Sequence, residues 1–316
     1  MLLWWKLEQL RSISWRVRSR AAEKLGASRD PRAVVALVKA LKDKDPNVRA
    51  AVAGALGQIG DPKAAAPLVE ALKDHDHSVR HAVVQALGTV RDEKVDEKVI
   101  ECLLPLLKDS DSTMRSAAAR SLETVGGDRL SDRHRAAIAV VRMKWEEAAS
   151  IGLPAVDPLL GALSDPKSQV RVAAVNALVK IGDERAIPPL IDMLKESDAH
   201  VQETAASALA SIGDARAVMP LVALAGEGSV VTAAVKALDR LLERIVQAVP
   251  DADLIKIAAL QGPAPQGPGE AQKRSNAQAG ATAATQPPDF SRVSGLARTE
   301  LSRRGLPVGP PPSASR

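Results

Sequence analysis

The densest set of chemistry-bearing residues in the chain is Asp74-His75-Asp76-His77…His81. Three imidazoles and two carboxylates fall within eight residues. His77 and His81 stand at i and i+4, so on a helix they share a face and are the pair able to hold a metal ion. A transition-metal centre needs more ligands than that, fixed in a defined geometry. Only this one pair is rigid, and the residues before it form a polar turn, so a solvated turn is the expected state and no cofactor is expected. A second set pairs arginine with aspartate. Arg18, Arg49, Arg80, Arg115 and Arg171 recur at one position, and Asp45, Asp76, Asp111 and Asp165 recur a few residues earlier. Their expected use is a structural ladder of charge pairs, fading where Gln202 and Val231 replace the arginine. No Gly-rich phosphate loop with a Lys, no placeable Ser/His/Asp arrangement and no Cys/His metal spacing occurs. Cys102 is the only cysteine. Set among Ile100, Leu103, Leu104 and Leu107, it is expected in the core, and its solitude fits a reducing, cytoplasmic compartment.

The elements that position these residues repeat. In Pro46–Asp76, the residues Val48, Ala51, Val52, Ala55, Leu56 and Ile59 share one helical face. Gly60 suits the end of that helix. Asp61 and Pro62 suit the start of a second, which carries Ala65, Leu68, Val69 and Leu72. The pattern recurs over His77–Asp111 and Gln169–Asp198. Val17, Val48 and Val79 are evenly spaced, and the same interval separates Val170 from Val201. Asp30, Asp61, Asp92, Asp183 and Asp214 hold one turn. Neither helix of a unit can bury its stripe alone, whereas stacked copies can.

The residues V-R-x-A-A-x-x-A-L-G-x-I-G-D-x-x-A-x-x-x-L resemble the short HEAT-like repeat of the phycobilisome-lyase class, over roughly residues 14–249. The resemblance implies an all-α solenoid of about seven helix pairs at 14–261, with capping helices. It extends to enzymes, lyase subunits and plain scaffolds. Deoxyhypusine hydroxylase uses repeated His-Glu pairs for its di-iron site. No His-Glu occurs here, and the matching stretch reads Arg80-His81-Ala82-Val83, so that activity is rejected. No catalytic motif of the bilin lyases maps onto numbered residues. DNA glycosylases of HEAT-like build need a basic face, and residues 1–261 carry 36 Lys/Arg against 35 acids.

The ends and one junction depart from the pattern. Residues 1–13 read as a capping helix through Leu3, Leu7 and Leu10, with Trp4 and Trp5 packed against the first repeat. An interfacial membrane anchor built on the Trp pair and Lys6 is the rival reading, and the apolar run is too short for a membrane span. Between about 127 and 152 the spacing fails. Ser131–Ile151 reads as a long helix or two fused ones, which places Arg142, Lys144 and Trp145 where the lattice does not dictate them. Residues 262–316 hold nine Pro and seven Gly, more than a quarter of the segment, with seven Lys/Arg against three acids. They are expected to be a disordered basic tail. Within it, residues 289–306 form a candidate linear motif on Phe290, Val293 and Leu301, able to fold on a partner or on the solenoid itself.

These readings converge on a non-catalytic scaffold whose second helices form a concave wall for a protein or peptide. The candidate contacts are Lys63, Glu70, Lys94, Glu101, Asp192 and Lys195, together with the junction and tail residues. The alternatives are an accessory or catalytic subunit of a bilin-lyase-type enzyme, and nucleic-acid binding through the basic tail.

Overall fold

A computed structural model describes residues 2–90, 96–226, 230–260 and 289–308. Among them all regular structure is helical, and the chain divides into two units, Met1–Ala155 and Val156–Arg316. Lys94 and Asp92 lie outside the described residues, as do 262–288 and 309–316 of the tail.

The first unit runs α1 (Leu2–Gln9), α2 (Trp15–Ser28), α3 (Val34–Ala40), α4 (Pro46–Ile59), α5 (Ala65–Ala71), α6 (His77–Leu87), α7 (Asp96–Leu103), α8 (Ser112–Gly126), α9 (Asp132–Val141) and α10 (Trp145–Ile151). The even-numbered helices α2 to α8 pack on one another in succession, and each of α3, α5 and α7 packs on the first helix of the next pair. The second unit repeats the scheme with α11 (Val156–Ala162), α12 (Ser168–Ile181), α13 (Ile187–Met193), α14 (Ala199–Ile212), α15 (Val218–Gly226), α16 (Val231–Ile245) and α17 (Asp251–Ala258). Val48, Val79 and Val201 are each the third residue of a first helix, and each is buried. The recurrent aspartates start the second helices as expected. Asp30, Asp61, Asp183 and Asp214 each accept the N–H two residues on, at 3.0, 2.9, 2.8 and 2.7 Å. Each opens a single 3₁₀ turn that feeds the α-helix.

Small residues set the spacing between first helices. A Cβ added at Gly26 would meet Ala55 Cα at 2.7 Å, and one at Gly57 would meet Ala86 Cα at 2.9 Å. Both obstacles are backbone, so the helices themselves would have to part. Gly57→Val is therefore expected to lower stability by about 1–3 kcal/mol. Gly54→Ala, on the same helix with nothing within 4 Å, is expected to raise it by about 0.5–1 kcal/mol. Urea denaturation of the two variants distinguishes close approach from simple helix propensity. Equal shifts would refute the packing account.

The arginine ladder exists but pairs differently from expectation. Arg18 donates to Asp43 at 2.6 and 2.8 Å, and Arg49 to Asp74 at the same distances. Arg171 reaches Glu196 at 2.8 Å. Each partner follows its arginine at one fixed interval, after the arginine's own second helix. Meanwhile the guanidinium reaches back to the preceding turn, as Arg49 does to Asp43 O at 2.8 Å. Asp45, Asp76 and Asp111 are instead helix N-caps, accepting from Asn47, Ser78 and Thr113 N–H. The reason is reach: a residue at the N-cap points its carboxylate at the free amides of its own helix. The arginine thus clamps two successive turns.

One expectation about the ends is corrected. On α1 the packed side chains are Leu3, Leu7 and Leu10, whereas Trp4 and Trp5 are 71% and 49% exposed. One and two residues beyond Leu3, they turn about 100° and 200° away from the leucine stripe. At the other end, residues 291–303 form a helix, α18 (Ser291–Arg303), packed on α16 and α17. Phe290, Val293, Ala297 and Leu301 are buried there, so the candidate linear motif lies folded on its own chain. Four apolar residues at helical spacing found a complementary face on their own chain.

Candidate functional site

The third pair is where the ladder breaks. The stretch VRDEKVDEK (residues 90–98) lengthens this repeat, and at the ladder's interval after Arg80 the expected carboxylate is replaced by Pro105. Arg80 still donates to Asp74 O and His75 O, both at 2.9 Å. Among the described residues it has no carboxylate partner. Beside it lies a cleft of about 360 Å³ lined by the second helices α5 and α7 and the first helices α6 and α8. Its floor is apolar: Val69, Leu72, Val84, Leu106 and Met114, with Cys102 half-buried. The charged groups are Glu70, Lys73, Lys98 and Arg80, three cations to one anion. Glu70 and Lys73 approach to 3.9 Å while remaining 68% and 82% exposed, a pairing too solvated to hold either side chain in place. The cleft therefore presents a greasy floor under a positive rim.

Of the candidate contacts named from the sequence and described in the structure, only Glu70 lines this cleft. Lys63 and Glu101 are exposed elsewhere on unit one. Asp192 and Lys195 are exposed on unit two and pair with each other at 3.6 Å. Lys73, Arg80, Lys98 and Cys102 were not read as site residues. Cys102 was expected in the core; it is half-buried, packing on the core while also lining the cleft. The signal that marks them is the insertion itself, which displaces the acid from the arginine's regular interval.

The junction is not one long helix. Met143 adopts a left-handed conformation, φ +56°, and Lys144 N–H bonds Ala139 O at 2.8 Å, which closes α9 before α10 begins. Gly127 and Gly152 bracket the region at φ +47°, ψ −129° and φ +80°, ψ −136°, backbone states that only glycine adopts readily. Lys144 and Arg142 converge on one carboxylate, Glu123, at 3.0 and 3.6 Å, and Lys144 also reaches Glu147 at 3.2 Å. Those acids hold the Lys144 ammonium above its usual value. Trp145 is half-buried at the start of α10. The junction's cations are thus neutralised within the chain.

The histidine cluster dissolves in the same way. His77 Nε2 lies 3.0 Å from Asp111 Oδ2 of the next repeat, and His81 is half-buried on α6. Among the described residues no group of three or more His, Cys, Asp or Glu is placed to hold a metal.

The basic tail is likewise engaged. Arg298 donates to Ala258 O, the last carbonyl of α17, at 3.1 and 2.9 Å. Arg304 donates to Gln247 O at 2.7 Å and Val249 O at 3.0 Å. Arg303 and Arg304 both grip Glu300, and Arg292 pairs with Asp239 and Glu243. Carbonyls left over at helix ends are thereby satisfied by side chains. Four of the tail's cations, Arg292, Arg298, Arg303 and Arg304, thus bind their own chain. No helix among the described residues is long and apolar enough to cross a membrane.

A family model of HEAT repeats matches residues 6–88, 67–149, 131–198 and 156–239. No curated protein matches the chain. Among solved structures, similarity extends to the complex of CpcE and CpcF of phycocyanin lyase from Nostoc sp. PCC7120. The identity is 24%, covering 77% of this chain and 88% of that one, with a TM-score of 0.39. Human deoxyhypusine hydroxylase is 22% identical over 77% and 96% of the two chains, at a TM-score of 0.34. A computationally designed armadillo repeat protein for modular peptide recognition is 22% identical over 66% and 99%, at 0.35. At these identities and scores none of the three bears on what this chain binds.

Proposed function

Because the chain belongs to the HEAT-repeat family, we propose that it is a non-catalytic scaffold that holds a peptide or protein segment against its second helices. The observation that carries this reading is the cleft between α5 and α7. Its apolar floor favours bulky side chains, which release ordered water on burial. Its Lys73, Lys98 and Arg80 against a single Glu70 favour an acidic segment. Arg80 is fixed by two carbonyls, so one cation is presented without further ordering cost. Lys63, in the 3₁₀ turn that opens α5, and Glu101, on α7, are exposed and are proposed as flanking contacts.

Full-length protein panned against a random peptide display library tests the proposal. Enriched peptides are expected to combine Asp or Glu with large apolar residues and to shield Cys102 from alkylation. Reversing both rim charges, Lys73→Glu with Lys98→Glu, is expected to weaken capture about tenfold, at up to about 1 kcal/mol for each exposed charge. Stability should stay within about 0.5 kcal/mol, since neither is a buried position. Peptides that bind the double variant equally well and leave Cys102 reactive would remove the cleft as the site.

A further inference from the structure

The N-terminal hairpin has a composition unlike the rest of the molecule. Three of the chain's four Trp, namely Trp4, Trp5 and Trp15, lie in it, and residues 1–29 hold seven Lys or Arg against two Glu. Elsewhere the core is mostly Leu, Val, Ile and Ala, and these exposed rings do not fill it. Trp4 is 71% exposed, Trp5 49%, Trp15 38% and the intervening Ile13 98%. They belong to one small structure, since α1 packs on α2 and a short loop joins them. Neither the cleft beside Arg80 nor a groove on unit two includes them.

Cations surround the rings. The Arg16 guanidinium lies 5.0 Å over the Trp15 ring, and the Lys24 ammonium 5.8 Å from the Trp5 ring. Arg11 and Arg20 are also exposed. Arg18 does not contribute, because Asp43 holds it.

We propose that this hairpin docks on the surface of an anionic lipid bilayer. Trp4, Trp5, Trp15 and Ile13 enter the headgroup layer, where an amphipathic indole is most at home. Arg11, Arg16, Arg20 and Lys24 face the lipid phosphates, and the scarcity of acids leaves little to oppose that attraction. With eight residues, α1 is about 12 Å long, far short of a span, so it lies on the membrane and does not cross it. A protein partner would need matching pockets for three protruding rings, whereas a fluid headgroup layer accommodates them in any arrangement.

The test uses the full chain and sedimentation with vesicles of phosphatidylcholine alone, or with about 30% phosphatidylserine. Binding to the anionic vesicles is expected to be at least about tenfold tighter and to weaken as salt rises from about 0.1 to 1 M. Trp fluorescence should shift to the blue. Two variants follow: Trp4→Ser with Trp5→Ser and Trp15→Ser, and Arg16→Glu with Arg20→Glu. Both should lose binding while keeping wild-type helicity, because all the replaced side chains are exposed. Equal binding to both vesicle types would overturn the proposal. So would undiminished binding of the Trp variant, which would assign the affinity to the basic tail. Self-association that the Trp substitutions abolish, without vesicle binding, would also overturn it by making the face a contact between two copies.

Discussion

Replacing Leu301 with Ala releases α18 from α16 and α17. Leu301 is 1% exposed and shares its buried face with Phe290, Val293 and Ala297. A Leu-to-Ala truncation at such a site costs about 2–5 kcal/mol, comparable to the whole advantage of one short docked helix. Hydrogen exchange across residues 294–304 should rise accordingly, and trypsin should cut after Arg298 and Arg303. Exchange in α4 and α6, on the other unit, should not change. Identical protection of α18 in the wild type and the variant would show that the helix does not depend on this contact. The stability of α18 also responds to acid. Hydrogen bonds from Arg303 and Arg304 hold the Glu300 carboxyl at about 2, against an ordinary 4.5. A depressed carboxylate contributes its stabilisation in full above its unfolded value and loses it as pH falls through the folded one. The contribution of Glu300 is therefore expected to fade from about pH 4.5 downward and to be lost near 2, and Glu300→Gln should flatten that dependence.

The second large effect is expected at Arg18. Its guanidinium is held by Asp43 and by the Ser12 and Ile13 carbonyls at 2.8 and 2.9 Å, with side-chain exposures of 7% and 11% for the pair. Arg18→Met leaves Asp43 charged, enclosed and without its partner, which costs about 3–5 kcal/mol. Arg80→Met is the control. Lacking a carboxylate partner, it should cost about 1 kcal/mol or less. Urea midpoints for the two variants should differ widely, and similar midpoints would show that the clamp adds nothing beyond its carbonyl contacts. Burial pushes the Asp43 carboxyl up, but the Arg18 hydrogen bond and the Asp45 N–H together outweigh it and bring it below 3.8. The clamp should accordingly be at full strength above that pH and weaken below it.

What could be read from the residue order divides by range. Helix faces, turn aspartates and the regular register of the repeats depend on contacts within one unit, and Val48, Val79 and Val201 took matching buried places. The ladder was visible as a recurrence, but its acids were expected to be the aspartates that precede each arginine. Asp45, one helical turn before Arg49, caps its own helix, while Asp74, on the far side of α5, receives the guanidinium. Trp4 and Trp5 were expected to pack against the first repeat, although their angular position relative to Leu3, Leu7 and Leu10 already turned them away from it.

The linear sequence alone determined that this is an all-helical repeat chain of the HEAT type, because each unit carries its own stripes, caps and breaks. Tertiary structure alone decided which charges remain available. Glu123 neutralises Arg142 and Lys144, Glu300 and helix-end carbonyls engage the tail arginines, and an insertion leaves Arg80 beside an open cleft. Electrostatic pairing depends on distances across the packed layers, and a side chain's freedom is a property of its neighbours in space.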